Sequence, residues 1–169
     1  MQHYLTILQS TMRRRWDCQA LSDYRGTTFT FAEIATEIYR LHAIFEQVGV
    51  KPGDRVALAA KNSARWAIGF LAAVTYRAVA VPILSDFAIA DIQSLVDHSE
   101  SVVLFTESRM WDEMSSDNMP KLSATISSED FSALYCRDCD AQTLVAKATG
   151  SMPKVFPAQK REQITDYTF

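Results

Sequence analysis

Arg55-Val-Ala-Leu-Ala-Ala60, Lys61-Asn62-Ser63, a fourteen-residue stretch from Ala64 to Arg77, and Ala78-Val-Ala-Val-Pro-Ile83 follow one another without interruption. The first and last are short apolar runs, one entered from a Gly53-Asp54 turn and the other rich in valine and closed by a proline, so both read as buried strands. Between them Trp66, Ile68, Phe70, Leu71, Val74 and Tyr76 recur without a proline, over a length that suits about four helical turns. Strand, helix and strand in that space predict a parallel pair joined by a right-handed crossover. The turn Lys61-Asn62-Ser63 then falls at the carboxyl end of the first strand, where open α/β sheets place their ligands.

Downstream the pattern repeats. Leu84-Ser85-Asp86 makes a second strand-to-helix loop, and Asp86 or Asp91 is expected to cap a helix carrying Ile89, Ile92, Leu95 and Val96. Ser101-Val-Val-Leu-Phe-Thr106 reads as a third buried strand. The expected fold is α/β, an open, mostly parallel, doubly wound sheet with a β-α-β-α-β core, preceded by a helix and a β-hairpin.

Upstream, Tyr4, Leu5, Ile7, Leu8 and Met12 fall mostly on one helical face, ending in Arg13-Arg14-Arg15-Trp16. Cations in a last turn suit the helix dipole, which is their plain explanation; the sharper one is a weak contact with an anionic membrane surface or a phosphorylated ligand. Residues 20–30 read as a hairpin around Arg25-Gly26-Thr27. Thr30-Phe31-Ala32-Glu33 is a capping box, with Phe29 and Ile34 as a hydrophobic staple, so Glu33 has a structural task and is not a catalytic acid. The helix it starts shows Ile34, Ile38, Leu41, Phe45 and Val48 on one face and stops at Gly49; His42 reads as a helix-surface histidine.

After Glu107 the pattern loosens. Met110, Trp111 and Met114 suggest a short helix, Lys121 to Ile126 an edge strand, and Ser127-Ser128-Glu129-Asp130 the cap of a helix carrying Phe131, Leu134 and Tyr135. Periodicity nearly disappears from Asp140, and prolines stand at 153 and 157. The expected organisation is therefore an α/β unit over residues 1–139 and a linker or unfinished segment over 140–169.

With 169 residues, 48% of them apolar and 22% charged, the chain can bury one core and is not a disordered or fibrous sequence. A formal net charge of -3 gives no basic excess for nucleic acid, and no apolar run is long enough to span a bilayer. The N-terminus lacks a signal-peptide pattern, and cytoplasmic residence is the expectation. Cys18, Cys136 and Cys139 are too few for a disulfide framework, which agrees with a reducing compartment. Cys136-Arg-Asp-Cys139 has the C-x-x-C spacing of zinc and thiol-exchange sites. Zinc would need a second ligand pair that is missing, and exchange would want the pair at a helix N-terminus after a strand with positive charge nearby, whereas Asp138 and Asp140 flank it and would disfavour a thiolate, so the spacing reads as coincidence.

Phe29-Thr-Phe-Ala-Glu-Ile34, Gly53-Asp-Arg-Val-Ala-Leu58 and Leu71-Ala-Ala-Val-Thr-Tyr-Arg-Ala-Val-Ala-Val-Pro-Ile83 stand in that order. Together they resemble the beginning of the adenylate-forming enzymes, the superfamily of acyl- and aryl-CoA ligases, peptide-synthetase adenylation domains and luciferases. Asn62-Ser-Ala-Arg-Trp66 and Leu95-Val-Asp-His-Ser-Glu100 fit as well, and the likeness, over about residues 20–107, is strongest to bacterial long-chain fatty acid CoA ligases. Thr75-Tyr76-Arg77 departs from it, since a glycine-ended turn is common there.

The resemblance implies that a parent protein joins a fatty acid carboxylate to ATP as acyl-AMP, with magnesium, and transfers it to coenzyme A. It also implies that the residues doing so, a Ser/Thr/Gly-rich phosphate loop, a ribose-holding aspartate and a C-terminal lysine, lie elsewhere. Thr149-Gly-Ser-Met-Pro-Lys154 is only a poor fragment of such a loop. This chain then carries no catalytic or metal-ligating residue of its own, is inactive alone, binds no cofactor, and has the remainder of its polypeptide as partner, self-associating without it. Lys61, Asn62, Ser63 and Ser85 are the candidates for lining a shared cleft, against the plainer reading that they close turns and cap helices. The alternative is a stand-alone flavodoxin-like α/β binding or regulatory module without catalysis.

Overall fold

A computed structural model of the chain describes residues 3–150. Helix α1 (Tyr4–Arg14) leads into a two-stranded antiparallel hairpin, β1 (Gln19–Ser22) and β2 (Thr28–Thr30), and helix α2 (Phe31–Gln47) follows directly. The alternation then runs β3 (Arg55–Ala59), α3 (Ala64–Thr75), β4 (Val79–Pro82), α4 (Ile89–His98), β5 (Ser101–Thr106) and the short α5 (Ser108–Trp111). It closes with β6 (Ala124–Ser127), β7 (Ala133–Cys136) and α6 (Ala141–Gly150). The five-stranded sheet has the order β4-β3-β5-β6-β7, parallel throughout except for the antiparallel pair β6–β7. This is the expected doubly wound α/β fold, led by a helix and a hairpin.

Strand periodicity explains why both faces are covered. Val56, Leu58, Val103 and Phe105 point into the larger core with α2, α3 and α6, while Ala57, Ala59 and Leu104 face the smaller core of Ile92, Val96, Met110 and Leu122. The capping box is formed as read: Thr30 Oγ1 accepts from the Glu33 amide at 3.2 Å and Glu33 Oε2 accepts from the Thr30 amide at 2.7 Å. That amide bond first, and the Thr30 hydroxyl second, hold the Glu33 carboxyl below the ordinary range. Phe29 and Ile34 are both buried in the larger core.

Several elements differ from expectation. β4 is an edge strand with Val79 half exposed, which is where its Pro82, lacking an N–H, does no harm to a ladder. β6 is interior rather than an edge. Residues 127–136 form a turn and strand β7 instead of a capped helix, because Phe131 takes a left-handed φ of 59° and reverses the chain. The N-cap of α4 is Ala88, with no side-chain bond from Asp86 or Asp91. Residues 141–150, expected to lack periodicity, are helical and place Leu144 and Ala148 in the larger core; the rest of the 140–169 segment, with Pro153 and Pro157, lies outside the described residues. Trp16 is buried, so the aromatic group beside Arg13-Arg14-Arg15 faces inward rather than toward a membrane. Among the described residues no helix is long and apolar enough to cross a bilayer.

The turn after α3 explains the missing glycine. The Arg77 amide donates to Val74 O at 3.2 Å and the Ala78 amide to Ala73 O at 3.0 Å, a Schellman motif with Arg77 at the left-handed position, φ 66°. Gly49, φ 77°, holds the same place after α2, with its amide on Glu46 O and the Val50 amide on Phe45 O. The glycine common there thus serves backbone conformation rather than close packing. Arg77→Gly is expected to raise the unfolding free energy by roughly 0.5–1 kcal/mol, the left-handed penalty less the entropy glycine adds to the unfolded chain. Urea denaturation checks this, and a loss of stability would show that the arginine side chain matters more than its backbone.

Candidate functional site at the strand carboxyl ends

The connection from β3 runs to β4 on one side, and that from β5 runs to β6 on the other. Their carboxyl ends therefore flank the point where strand order reverses, the place such sheets use for ligands. An open cleft of about 230 Å3 lies there, with Lys61 and Ser63 from the loop after β3, Arg65 from α3, Glu107 after β5 and Glu129 after β6. Asp23 from the β1–β2 turn closes it.

The acidic groups of this cleft are already engaged. Asp23 Oδ1 accepts the Ala64 amide at 2.7 Å, and Ser63 Oγ accepts the Trp66 amide at 3.0 Å, so the first turn of α3 is capped twice. Glu107 Oε1 takes the Lys61 amide at 3.4 Å. Glu129 Oε2 takes the Ser108 hydroxyl at 2.8 Å and its amide at 3.3 Å. The Arg65 guanidinium lies over the Phe29 ring, 5.2 Å from its centroid. These contacts tie the hairpin, β3, β5 and β6 together at one end of the sheet.

A second, larger opening of about 600 Å3 adjoins it between the carboxyl ends of β3 and β4. Lys61, Asn62, Ser85 and Asp86 supply its polar rim, and Trp66, stacked on Phe70 at 5.8 Å, with Ile83 and Leu84 supplies its apolar wall. Of the four residues singled out by sequence, Lys61, Asn62 and Ser85 meet in this cleft. Ser63 belongs to the smaller one and caps α3, and Lys61 borders both. An ammonium, an amide and a hydroxyl beside an indole and two aliphatic side chains suit a ligand with a polar end and an apolar body.

Sequence reading missed Glu107, which directly follows a recognised strand and could have been found by position. It also missed Asp23 and Glu129, which only the strand order and the hairpin's placement bring near. His42, read as a surface residue, instead sits between α2 and α3, its Nε2 3.0 Å from both Ala72 O and Thr75 Oγ1.

A family model described as AMP-binding enzyme matches residues 8–165. The chain is 35% identical over 89 residues, 53% of its length, to the long-chain-fatty-acid–CoA ligase FadD15 of Mycobacterium bovis. It is 30% identical over 101 residues, 59% of its length, to the oxalate–CoA ligase of Arabidopsis thaliana. It spans only 15% and 20% of those two relatives. Among solved structures it resembles the anthranilate CoA ligase AuaEII, solved in complex with anthranoyl-AMP. There the TM-score is 0.70 at 19% identity, covering 86% of this chain and 27% of that one.

Proposed function

The chain belongs to the AMP-binding enzyme family, and from that membership we propose that it is the N-terminal part of an ATP-dependent acyl-CoA synthetase. The parent protein activates a fatty acid carboxylate, long-chain by this reading, as acyl-AMP with release of pyrophosphate, and then transfers the acyl group to the thiol of coenzyme A. The remainder of the same polypeptide is the partner of this segment. The observation that carries the reading is the 35% identity to a long-chain-fatty-acid–CoA ligase. The oxalate ligase among the relatives supports a shared carboxylate chemistry rather than any one chain length.

The described residues fit only a fraction of what ATP and its magnesium require. Lys61 offers one ammonium, but two first-turn amides of α3 that would otherwise meet a phosphate, those of Ala64 and Trp66, are taken by Asp23 and Ser63. Among the described residues no group of three His, Cys, Asp or Glu side chains is placed to hold a metal ion. No step of adenylation is routed through them, and Lys61, Asn62 and Ser85 are proposed only to line the cleft that the rest of the polypeptide completes. The exposed Val79, Leu84, Phe87 and Leu95, on β4, the loop after it and α4, support a further covering surface on that side. Thr149-Gly-Ser-Met-Pro-Lys154 lies mostly outside the described residues.

The test is to read the source gene beyond the Phe169 codon and assay its whole product beside the 169-residue chain. The expected result is acid-dependent pyrophosphate exchange and acyl-CoA formation from long-chain acids by the whole product, and neither from the shorter chain. A frame that closes at Phe169, a whole product inert toward straight-chain acids, or an active short chain would each overturn the proposal.

A further inference from the structure

Cys136 is the last residue of β7, Cys139 lies in the turn that follows, and the two sulfurs are joined in a disulfide. The spacing is therefore not coincidental, and the strand-to-helix placement is the one that sequence alone failed to find. The turn passes directly from the edge strand into α6, whose first turn is capped by Asp140: its Oδ2 accepts from the Thr143 amide and hydroxyl, each at 2.8 Å. Arg137, between the cysteines, is fixed by donating to Leu122 O at 2.8 Å and Met119 O at 3.3 Å, and its own amide donates to Ser123 O at 2.9 Å. These bonds turn the guanidinium away from the sulfurs and anchor the short disulfide loop on the 119–123 segment. Cys139 is exposed and Cys136 half-buried, so the bond is more open on the Cys139 side. Asp138 and Asp140 flank the pair and do not favour a thiolate, so what suits exchange is the placement: a C-x-x-C disulfide between a strand and a helix with its second cysteine exposed.

We propose that Cys136 and Cys139 form a reversible thiol–disulfide exchange site that takes a thiol reductant as its partner. The reductant's thiolate attacks the Cys139 sulfur, the bond to Cys136 breaks, and Cys136 leaves as a thiolate and is protonated. A second thiol of the reductant attacks the mixed disulfide and releases Cys139 as a thiol. Two electrons and two protons pass to the pair, and the reductant becomes a disulfide; the reverse sequence closes the loop. This inference is independent of the acyl-CoA synthetase reading, since it requires neither ATP nor an acid.

The experiment is mass-spectrometric counting of N-ethylmaleimide-reactive cysteines in the folded 169-residue chain. The expected count is one in air-oxidised protein, the exposed Cys18, and three after dithiothreitol, returning to one with glutathione disulfide. Cys18→Ser should keep the two-thiol step, and Cys139→Ser should abolish it. Reduced glutathione serves as a second probe: if it opens the bond as dithiothreitol does, the partner is a small monothiol, and if only dithiothreitol does, it is a dithiol. Three reactive cysteines without reductant would overturn the proposal. So would a bond that resists both reductants until the chain is denatured.

Discussion

Phe105→Ala is expected to lower the unfolding free energy by about 3–5 kcal/mol, the usual cost of emptying a buried aromatic site. A domain is stable by only about 5–15 kcal/mol, so the variant should lie near the edge of folding. Phe105 stands on β5 at 2% exposure and meets Phe45 of α2 and Phe131 of the β6–β7 turn edge-to-face, each at 6.2 Å. Gly69 on α3 completes the site: a Cβ there would lie 3.5 Å from the Phe105 ring and 3.4 Å from Leu58. The ring therefore lies among α2, α3 and the turn that starts β7. Those supports are tied to the rest of the fold and will not collapse into the gap. Urea unfolding of the variant beside Phe87→Ala, whose ring is 44% exposed, separates packing from simple loss of an aromatic group. The exposed change should fall within about 0.5 kcal/mol of the parent. A loss below about 1 kcal/mol at Phe105 would show that the core relaxes around the cavity.

The elements that sequence reveals are those whose signal is local. β3, β4 and β5 are apolar runs with sharp boundaries, and α2 carries its capping box and glycine stop in one contiguous stretch from Thr30 to Gly49. β7 and α6 lack such signals. β7 is four half-buried residues after a turn whose left-handed residue is Phe131, where no glycine marks it. α6 buries only Leu144 and Ala148, one turn apart, too little to produce an apolar periodicity. With α6 unseen, the C-x-x-C motif lost the helix that gives it meaning.

The site shows the same division. Lys61, Asn62, Ser63 and Ser85 are readable because they directly follow strands. That β5 lies on the far side of β3 from β4 is a property of sheet order, which no local pattern encodes, and it is this order that brings Glu107 and Glu129 to Lys61 and Ser63. His42 was misread for a related reason. On α2 alone it is one polar residue among apolar neighbours, and only the packing of α3 across it supplies its partners.

Acidification from pH 7 to pH 5 is expected to cost about 2 kcal/mol of stability through His42 alone. Burial between α2 and α3 pushes its pKa from 6.5 down to about 4, opposed by the bond to Ala72 O. The neutral ring donates from Nε2 toward Ala72 O and Thr75 Oγ1, and its edge packs against Tyr76 at 5.0 Å. Tyr39, Glu46 and Arg77 line the cleft beside it. Because the folded chain resists the proton, the unfolded state binds more of it between pH 6.5 and about 4. Stability is fully present above 6.5 and falls as the pH drops through that window. Glu33, Asp130 and Asp140 also have lowered pKa values, so they too lose stabilisation in acid, but only near and below the unfolded carboxylate range of about 4. From pH 6.5 to about 5 the slope therefore belongs chiefly to His42. His42→Gln, which keeps a donor for Ala72 O but cannot titrate, should flatten the dependence of urea midpoints on pH in that interval. An unchanged slope in the variant would place the acid sensitivity elsewhere and show that water reaches the ring through the cleft well enough to hold its pKa near the free value.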